Sequence, residues 1–336
     1  MAAYTAIDDP SAYFKVQLYS GDGTAIGSGG QVITFDDTDT DMQPDLVWVK
    51  SRTDSQNHNV SDSVRGGTKT LYGNSTYFEE TKTEAIASFQ SDGFTVGNWE
   101  QVNDSGDTFV AWCWKESATA GFDIVTYEGV GVGTEQNVSH SLGAVPEFYV
   151  VKSRESHGGW QTYHHKMSAA PETDYIQINT NAAVADYGFW GDTAPTSGVF
   201  TVDDGDDVNA VEDYVCYLWR SVQGYSKFGG YTGNGDADGV FNYTGFRPAF
   251  VMIKRTDDVE SWLMMDNKRL GYNPNTSYIL SNATNAETTG SPIIDFCANG
   301  FKMKATDRNE DGAEYVYMAF AEAPLVNSNG VPCNAR

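Results

Sequence analysis

Three short apolar runs frame this chain: Leu46-Val47-Trp48-Val49-Lys50, Phe148-Tyr149-Val150-Val151 and Phe250-Val251-Met252-Ile253. Each is rich in β-branched and aromatic residues and is bounded by turn-forming residues, which predicts a strand. None alternates apolar with polar, so burial on both faces, or a place at the centre of a sandwich, is expected. Between the runs lie clusters of Gly, Asn, Asp, Ser and Thr that suit turns. The chain carries 34 glycines in 336 residues, which fits many short strands joined tightly. Only Glu79 to Phe89 has a helical composition, enough for a turn or two.

The runs belong to one phrase written three times. Pro44-Asp45-Leu46-Val47-Trp48-Val49-Lys50-Ser51-Arg52 returns at Pro146 to Arg154 and again at Pro248 to Thr256, with 102 residues between successive prolines. Other landmarks keep the register. Aromatic segments open each copy at Phe14, Phe122 and Tyr225, and apolar segments close them at Phe109 to Trp114, Tyr214 to Trp219 and Tyr315 to Phe320. Eighteen residues after each proline stands Asp62, His164 or Asp266. The period exceeds the roughly 20–50 residues of solenoids and propellers and reaches the size of a domain. The expected organisation is an N-terminal arm (1–12), repeats at 13–115, 122–222 and 225–325, and a C-terminal tail (326–336). The expected fold is all-β: three tandem antiparallel β-sandwich repeats, jelly-roll-like. Short linkers predict repeats packed on one another, and the equal spacing raises the idea of a pseudo-threefold unit within one chain.

Composition narrows the function. Acidic residues outnumber basic ones 46 to 21, for a net charge of −25. A phosphate-binding surface needs clustered Lys and Arg, so neither nucleic acid nor an anionic membrane is expected as a partner. The four cysteines, Cys113, Cys216, Cys297 and Cys333, form no CxxC pair and read as free thiols from a reducing compartment. No signal peptide and no 18-residue apolar segment is read, so membrane insertion is not expected.

Candidate chemistry is sparse. Asp307-Arg308-Asn309-Glu310-Asp311-Gly312 matches the first half of a calcium loop, but position 12 falls on Met318, where a bidentate Glu is needed. An acidic hairpin turn is the favoured reading, with calcium at Asp307, Asn309 and Asp311 as the alternative. Asp36 to Asp41 is read the same way. His164 and His165, adjacent on a strand, point to opposite faces and do not chelate together. Gly129 to Gly133 lacks the helix that a nucleotide loop requires. No G-x-S-x-G elbow is present, and 46 acids contain too many accidental pairs to single out a glycosidase dyad. The chain is read as no enzyme. Exposed aromatics are the better candidates, since flat amphipathic rings suit sugar stacking and interfaces. Tyr187, Phe189 and Trp190 lie in a stretch of the second repeat without a clear counterpart; sandwich core is the favoured reading, with a protein interface or a glycan contact as the alternatives, and Trp160 and Trp262, which share a repeat position, read more firmly as core.

Several segments resemble virion proteins encoded by marine bacteriophages and cyanophages. They are DDPSAYF at 8–14, MQPDLVWVKSR at 42–52, SDGFTVGN at 91–98 with FVAWCWK at 109–115, HSLGAVPEFYVVKSR at 140–154, YTGNGDADGVFNYTGFRPAFVMIKR at 231–255, and YVYMAFAEAP at 315–324. Such proteins are described as tail-fibre-like, with a repeated domain of unknown function. The resemblance implies a non-enzymatic structural component located in the virion and made in a bacterial host. It leaves open whether the protein sits on the tail or the head; the leading expectation is a tail fibre or tail appendage that contacts other virion proteins and a host surface glycan or receptor. It also implies a homo-oligomer, a trimer by analogy with phage fibres. A capsid decoration or head fibre is the alternative, and a polysaccharide-degrading tail enzyme the third.

Overall fold

The computed structural model describes residues 5–35, 40–269 and 273–324. The three apolar runs form the strands Leu46–Ser51, Phe148–Ser153 and Phe246–Arg255. The last starts ahead of Pro248, and its register with the neighbouring strand shifts at that proline, which has no N–H to give.

Each run occupies the same place in its sheet. The first sheet has the order Phe14–Ser20, Thr108–Trp114, Leu46–Ser51, Asn59–Asp62, Lys69–Tyr72, Glu80–Thr81. The second runs Phe122–Glu128, Asp213–Trp219, Phe148–Ser153, Gln161–His164, Asp174–Gln177, Ala185–Asp186. The third begins the same way, with Ser226–Thr232, Glu314–Pro324, Phe246–Arg255, Leu263–Asp266 and Asn275–Leu280. It then continues through Thr288–Cys297, Gly300–Met303 and Phe241–Tyr243, because one unbroken ten-residue strand carries it around a corner. Small sheets accompany the first two: Gln31–Thr34, Gly93–Val96 and Ile86–Gln90 with the first, Gln136–Ser139 and Val199–Val202 with the second. The pairings within these sheets are antiparallel, and the chain is all-β with several antiparallel sheets.

The period-2 alternation of a strand explains why the runs are apolar throughout. Val47 and Val49 point into a core with Ile33, Phe94 and Val96 of the small sheet, while Leu46 and Trp48 point the other way. Val251 and Ile253 likewise pack on Ile294 and Phe301, and Phe250 and Met252 face away from them. In the second sheet the Tyr149 ring sits 5.3 Å from Phe200, whereas its neighbour Phe148 stacks 5.8 Å from Phe228 of the third. The outward faces of all three sheets therefore meet in one central core. There Trp114 lies 6.1 Å from Trp219 and 5.7 Å from Phe320. The packing leaves only an apolar void of about 20 Å³, about the space of a single water but without polar partners to hold one.

The stretch expected to be helical is not. Glu80–Thr81 and Ile86–Gln90 are strands, the latter hairpinned to Gly93–Val96 across Ser91 and Asp92. Ile86 is fully buried, and a half-buried partner sheet outweighs the weak intrinsic preference of Glu, Ala and Lys for helix. Gly93 closes this hairpin with φ at +123°, and a side chain there would run into the Ile33 carbonyl. The described helices are short; the longest, Glu100–Asn103 and Asp206–Asn209, span four residues each.

Candidate functional site at the junctions between the sheets

The position that follows each apolar run by one turn is His58, Trp160 or Trp262, and each is buried. The backbone N–H of each is held by an asparagine carboxamide oxygen on its own sheet: Asn74 at 2.8 Å, Asn179 at 2.9 Å and Asn282 at 3.1 Å. That fixed backbone aims the ring at a neighbouring sheet. Trp160 donates its indole N–H to the carbonyls of Tyr72 and Ser75 at 3.0 and 3.1 Å. Trp262 donates to the Gln177 carbonyl at 2.9 Å. The His58 Nε2 lies 3.1 Å from the Leu280 carbonyl and 3.2 Å from that of Ala283. The second sheet thus grips the first, the third grips the second, and the first grips the third. The latches run one way around and close.

A second set of contacts crosses the same three junctions. Asp62 and Arg65 form a fully buried pair at 2.5 Å, and Tyr217 of the second sheet donates to Asp62 at 2.7 Å. Asp266 and Arg269 repeat the pair at 2.7 Å, and Trp112 of the first sheet donates to Asp266 at 3.1 Å. In the remaining junction the equivalent of the aspartate is His164, whose Nε2 lies 3.2 Å from the Tyr317 carbonyl of the third sheet. Further out, Arg154 pairs with Glu79 at 2.9 Å and Arg52 with Glu287 at 2.9 Å. The third junction replaces this ion pair with Thr256 and Val184, which keep only the backbone hydrogen bond of 2.9 Å.

The electrostatics suit a fastening role. Burial, with Lys50 nearby, pushes the His58 imidazole down to about 3, and burial beside His165 does the same to His164. Both rings are therefore neutral. The Trp48 indole donates to Nδ1 of His58 and the Lys166 N–H to Nδ1 of His164, so Nε2 carries the proton in both and donates across the junction. Burial alone would raise the Glu79 carboxyl, but the hydrogen bonds from Arg154 and the charge of Arg65 hold it below its ordinary value. Glu287 is held down in the same way by Arg52 and Arg269. Lys50, Lys152 and Lys254 are buried at equivalent strand ends, and burial lowers each ammonium to about 8.

The sequence-derived site residues are placed as follows. Phe189 and Trp190 are buried, and Trp190 packs on Tyr149 at 4.9 Å while donating to the Asp174 carbonyl at 2.8 Å. They serve the second core, as the favoured reading has it, and are not placed to stack on a ligand as the alternative requires; Tyr187 alone of the three stays exposed, at 43 %. In the acidic loop, Asn309 is fully buried. Its carboxamide accepts from the Asn234 N–H at 3.2 Å and donates to the Asp236 carbonyl at 2.8 Å. Asp307 instead pairs with Arg308, and Asp311 is exposed. Asn103 and Asn209 clamp the equivalent glycine turns through Asp22 and Val130, so this asparagine is a repeated turn clamp, in keeping with the turn reading of the loop. No group of three or more His, Cys, Asp or Glu that could hold a metal is present among the described residues. Asp36 to Asp39 of the other acidic stretch, and Cys333, lie outside the described residues.

The His164 and His165 rings were expected on opposite faces. His165 follows the end of its strand, and the rings lie side by side at 5.3 Å, each on its own carbonyl of the third sheet. One surface cluster went unread in the sequence: Tyr77 and Phe78 of the first sheet's loop, 53 % and 40 % exposed, against His157 of the second.

Residues 9–324 match a family described as a domain of unknown function (DUF7483), and the chain belongs to that family. One match spans all three sheets. No curated protein and no solved structure matches the chain.

Proposed function

We propose that this chain is a non-enzymatic structural protein of a bacteriophage virion, built as three tandem antiparallel β-sandwich repeats closed around a pseudo-threefold axis. Its reading as a tail fibre or tail appendage that meets a host surface glycan rests on the resemblance of seven stretches of the sequence to marine phage virion proteins. The observation that carries the structural part is the closed set of latches from His58, Trp160 and Trp262. Indole, imidazole, carboxylate and guanidinium groups of the kind that enzymes place in clefts are here buried at junctions and engaged with neighbouring sheets. Closure in one chain uses up the faces that separate subunits of a trimer would use. A homotrimer of this protein would accordingly assemble through other surfaces.

A second reading, as a capsid decoration protein, is favoured by the single shared core: three sheets about one centre make a compact block, suited to seating on a lattice. Cryo-electron microscopy of the intact particle tests both. Density for the closed block on the tail supports the first reading and density on the capsid lattice the second. Purified particles in which mass spectrometry detects no peptide of this chain overturn both.

A further inference from the structure

Two of the three junctions share a loop whose backbone is pinned at both ends, and the third keeps one of the two pins, so their side chains can be compared position by position. In the first loop the Thr76 carbonyl accepts from Gly158 N–H and Glu79 N–H donates to Arg154; in the second the Asn181 carbonyl accepts from Glu260 N–H and Val184 N–H donates to Thr256. In the last, Glu287 N–H donates to Arg52. The two residues just before the shared pin are Tyr77 and Phe78, Ala182 and Ala183, or Asn285 and Ala286. The residue facing them across the junction is His157, Val259 or Ser55. Two junctions therefore close with small or aliphatic side chains here, and folding does not require rings. Only the junction of the first and second sheets carries three of them, and all three are exposed.

The rings form one cluster. His157 lies 5.2 Å from Tyr77 and 5.2 Å from Phe78, with Tyr77 edge-on to the buried Tyr72 at 6.1 Å. The Glu80 carboxylate, held by the Tyr72 hydroxyl, completes a shallow depression of about 190 Å³. That is smaller than the roughly 300–1,000 Å³ of pockets that engulf a ligand. It suits a single ring of a longer molecule lying across the surface. A protein partner would need an interface of about 800 Å² per side, far more than this isolated patch of rings offers. Flat apolar faces beside a fixed carboxylate instead match a pyranose, which presents C–H faces and hydroxyl edges together. The net charge of −25 disfavours acidic polysaccharides.

We propose that Tyr77, Phe78, His157 and Glu80 form a binding site for neutral oligosaccharides, the rings stacking on sugar faces and the carboxylate accepting from hydroxyls. This deepens the receptor-glycan reading above and rests on it for its biological meaning.

The test is an array of neutral hexose and N-acetylhexosamine oligosaccharides probed with the full chain. The variant carries Tyr77→Ala, Phe78→Ala and His157→Val together, which installs the residues of the second junction and so keeps a side-chain set that this fold already accepts. Binding by the wild type that falls about tenfold or more in the triple variant, and persists in Phe78→Tyr, is the expected result, with the melting temperature of the triple variant close to wild type. An array on which no neutral sugar binds the wild type overturns the proposal, as does binding that survives the triple substitution. A silent array with loss of particle incorporation in the triple variant also overturns it and makes the patch a protein contact. Detection of the chain in purified particles is scored separately, so a silent array with the chain present sinks the site alone, and binding with the chain absent sinks the virion reading alone.

Discussion

Trp48 donates its indole N–H to Nδ1 of His58 at 2.8 Å, within one sheet, and thereby decides what His58 does to another. With Nδ1 occupied as an acceptor, the ring proton stays on Nε2 and points at the Leu280 and Ala283 carbonyls. The imidazole has no room for a second proton without breaking the Trp48 bond.

Acid should therefore loosen the ring. His58 and His164 sit at about 3 in the folded chain and near 6.5 when unfolded. Below 6.5 the unfolded state takes up protons that the folded state refuses, so the stability present above 6.5 is lost as pH falls towards 3. The loss is about 1.4 kcal/mol per pH unit for each histidine on the steep part. Urea unfolding at pH 7, 6 and 5 should show this slope, and His58→Gln should flatten it by about half. An unchanged slope in both His58→Gln and His164→Gln would refute the assignment.

The alkaline side should behave in the opposite sense at the three lysines. Each is lowered to about 8 from an ordinary 10.5. Between those values the unfolded chain holds the extra proton, so the lysine contribution to stability rises with pH across that window. Tyrosine and cysteine ionisation also acts there, but equally in wild type and variant. The stability difference between wild type and Lys50→Met should hence shift in favour of wild type from pH 7.5 to pH 10. A difference that stays constant with pH would mean that Lys50 keeps its charge when buried.

Trp160→Phe keeps an aromatic side chain but removes the pyrrole half of the indole, and with it the donor to the Tyr72 and Ser75 carbonyls. The expected cost is about 1–3 kcal/mol, that of leaving buried acceptors unpaired. Denaturant melts read the loss directly; a variant as stable as wild type would show that the latch contributes packing only.

Arg269→Met should be costlier, about 3–5 kcal/mol, because it leaves the Asp266 carboxylate buried without its cation. Combining it with Asp266→Asn should cost less than the sum of the two single changes, since the stranded charge goes with its partner. Strict additivity in a double-mutant cycle would contradict the pairing.

Asn309→Ala should destabilise the third sheet's glycine turn by about 1–3 kcal/mol, having removed a buried carboxamide that serves Asn234 and Asp236. The melting temperatures of wild type and variant should be the same in calcium and in a chelator. A calcium-dependent rise in wild type that disappears in Asn309→Ala would restore the metal reading of this loop.

What the amino-acid order determined by itself is local and periodic. The runs at Leu46, Phe148 and Phe250 announced strands buried on both faces, and the structure buries both. The 102-residue period reappears as one strand order found three times. Local pattern failed where a partner surface decided the outcome. Glu79 to Phe89 has helical composition but pairs as strands, because Ile86 gains more from the small sheet than its neighbours gain from a helix. The loop at Asn309 reads as a turn in one dimension, but only the structure shows its carboxamide clamping the glycine turn at Asn234 and Asp236. For Phe189 and Trp190, which lack a clear counterpart in the other repeats, the core reading is the favoured one and burial decides it against a ligand site. Only tertiary structure could show that His58, Trp160 and Trp262 reach across to other sheets, since a hydrogen bond to a backbone carbonyl leaves no mark on the residue that supplies it. The same holds for Tyr77, Phe78 and His157, which are 79 or more residues apart across the junction and become one surface only when the ring closes.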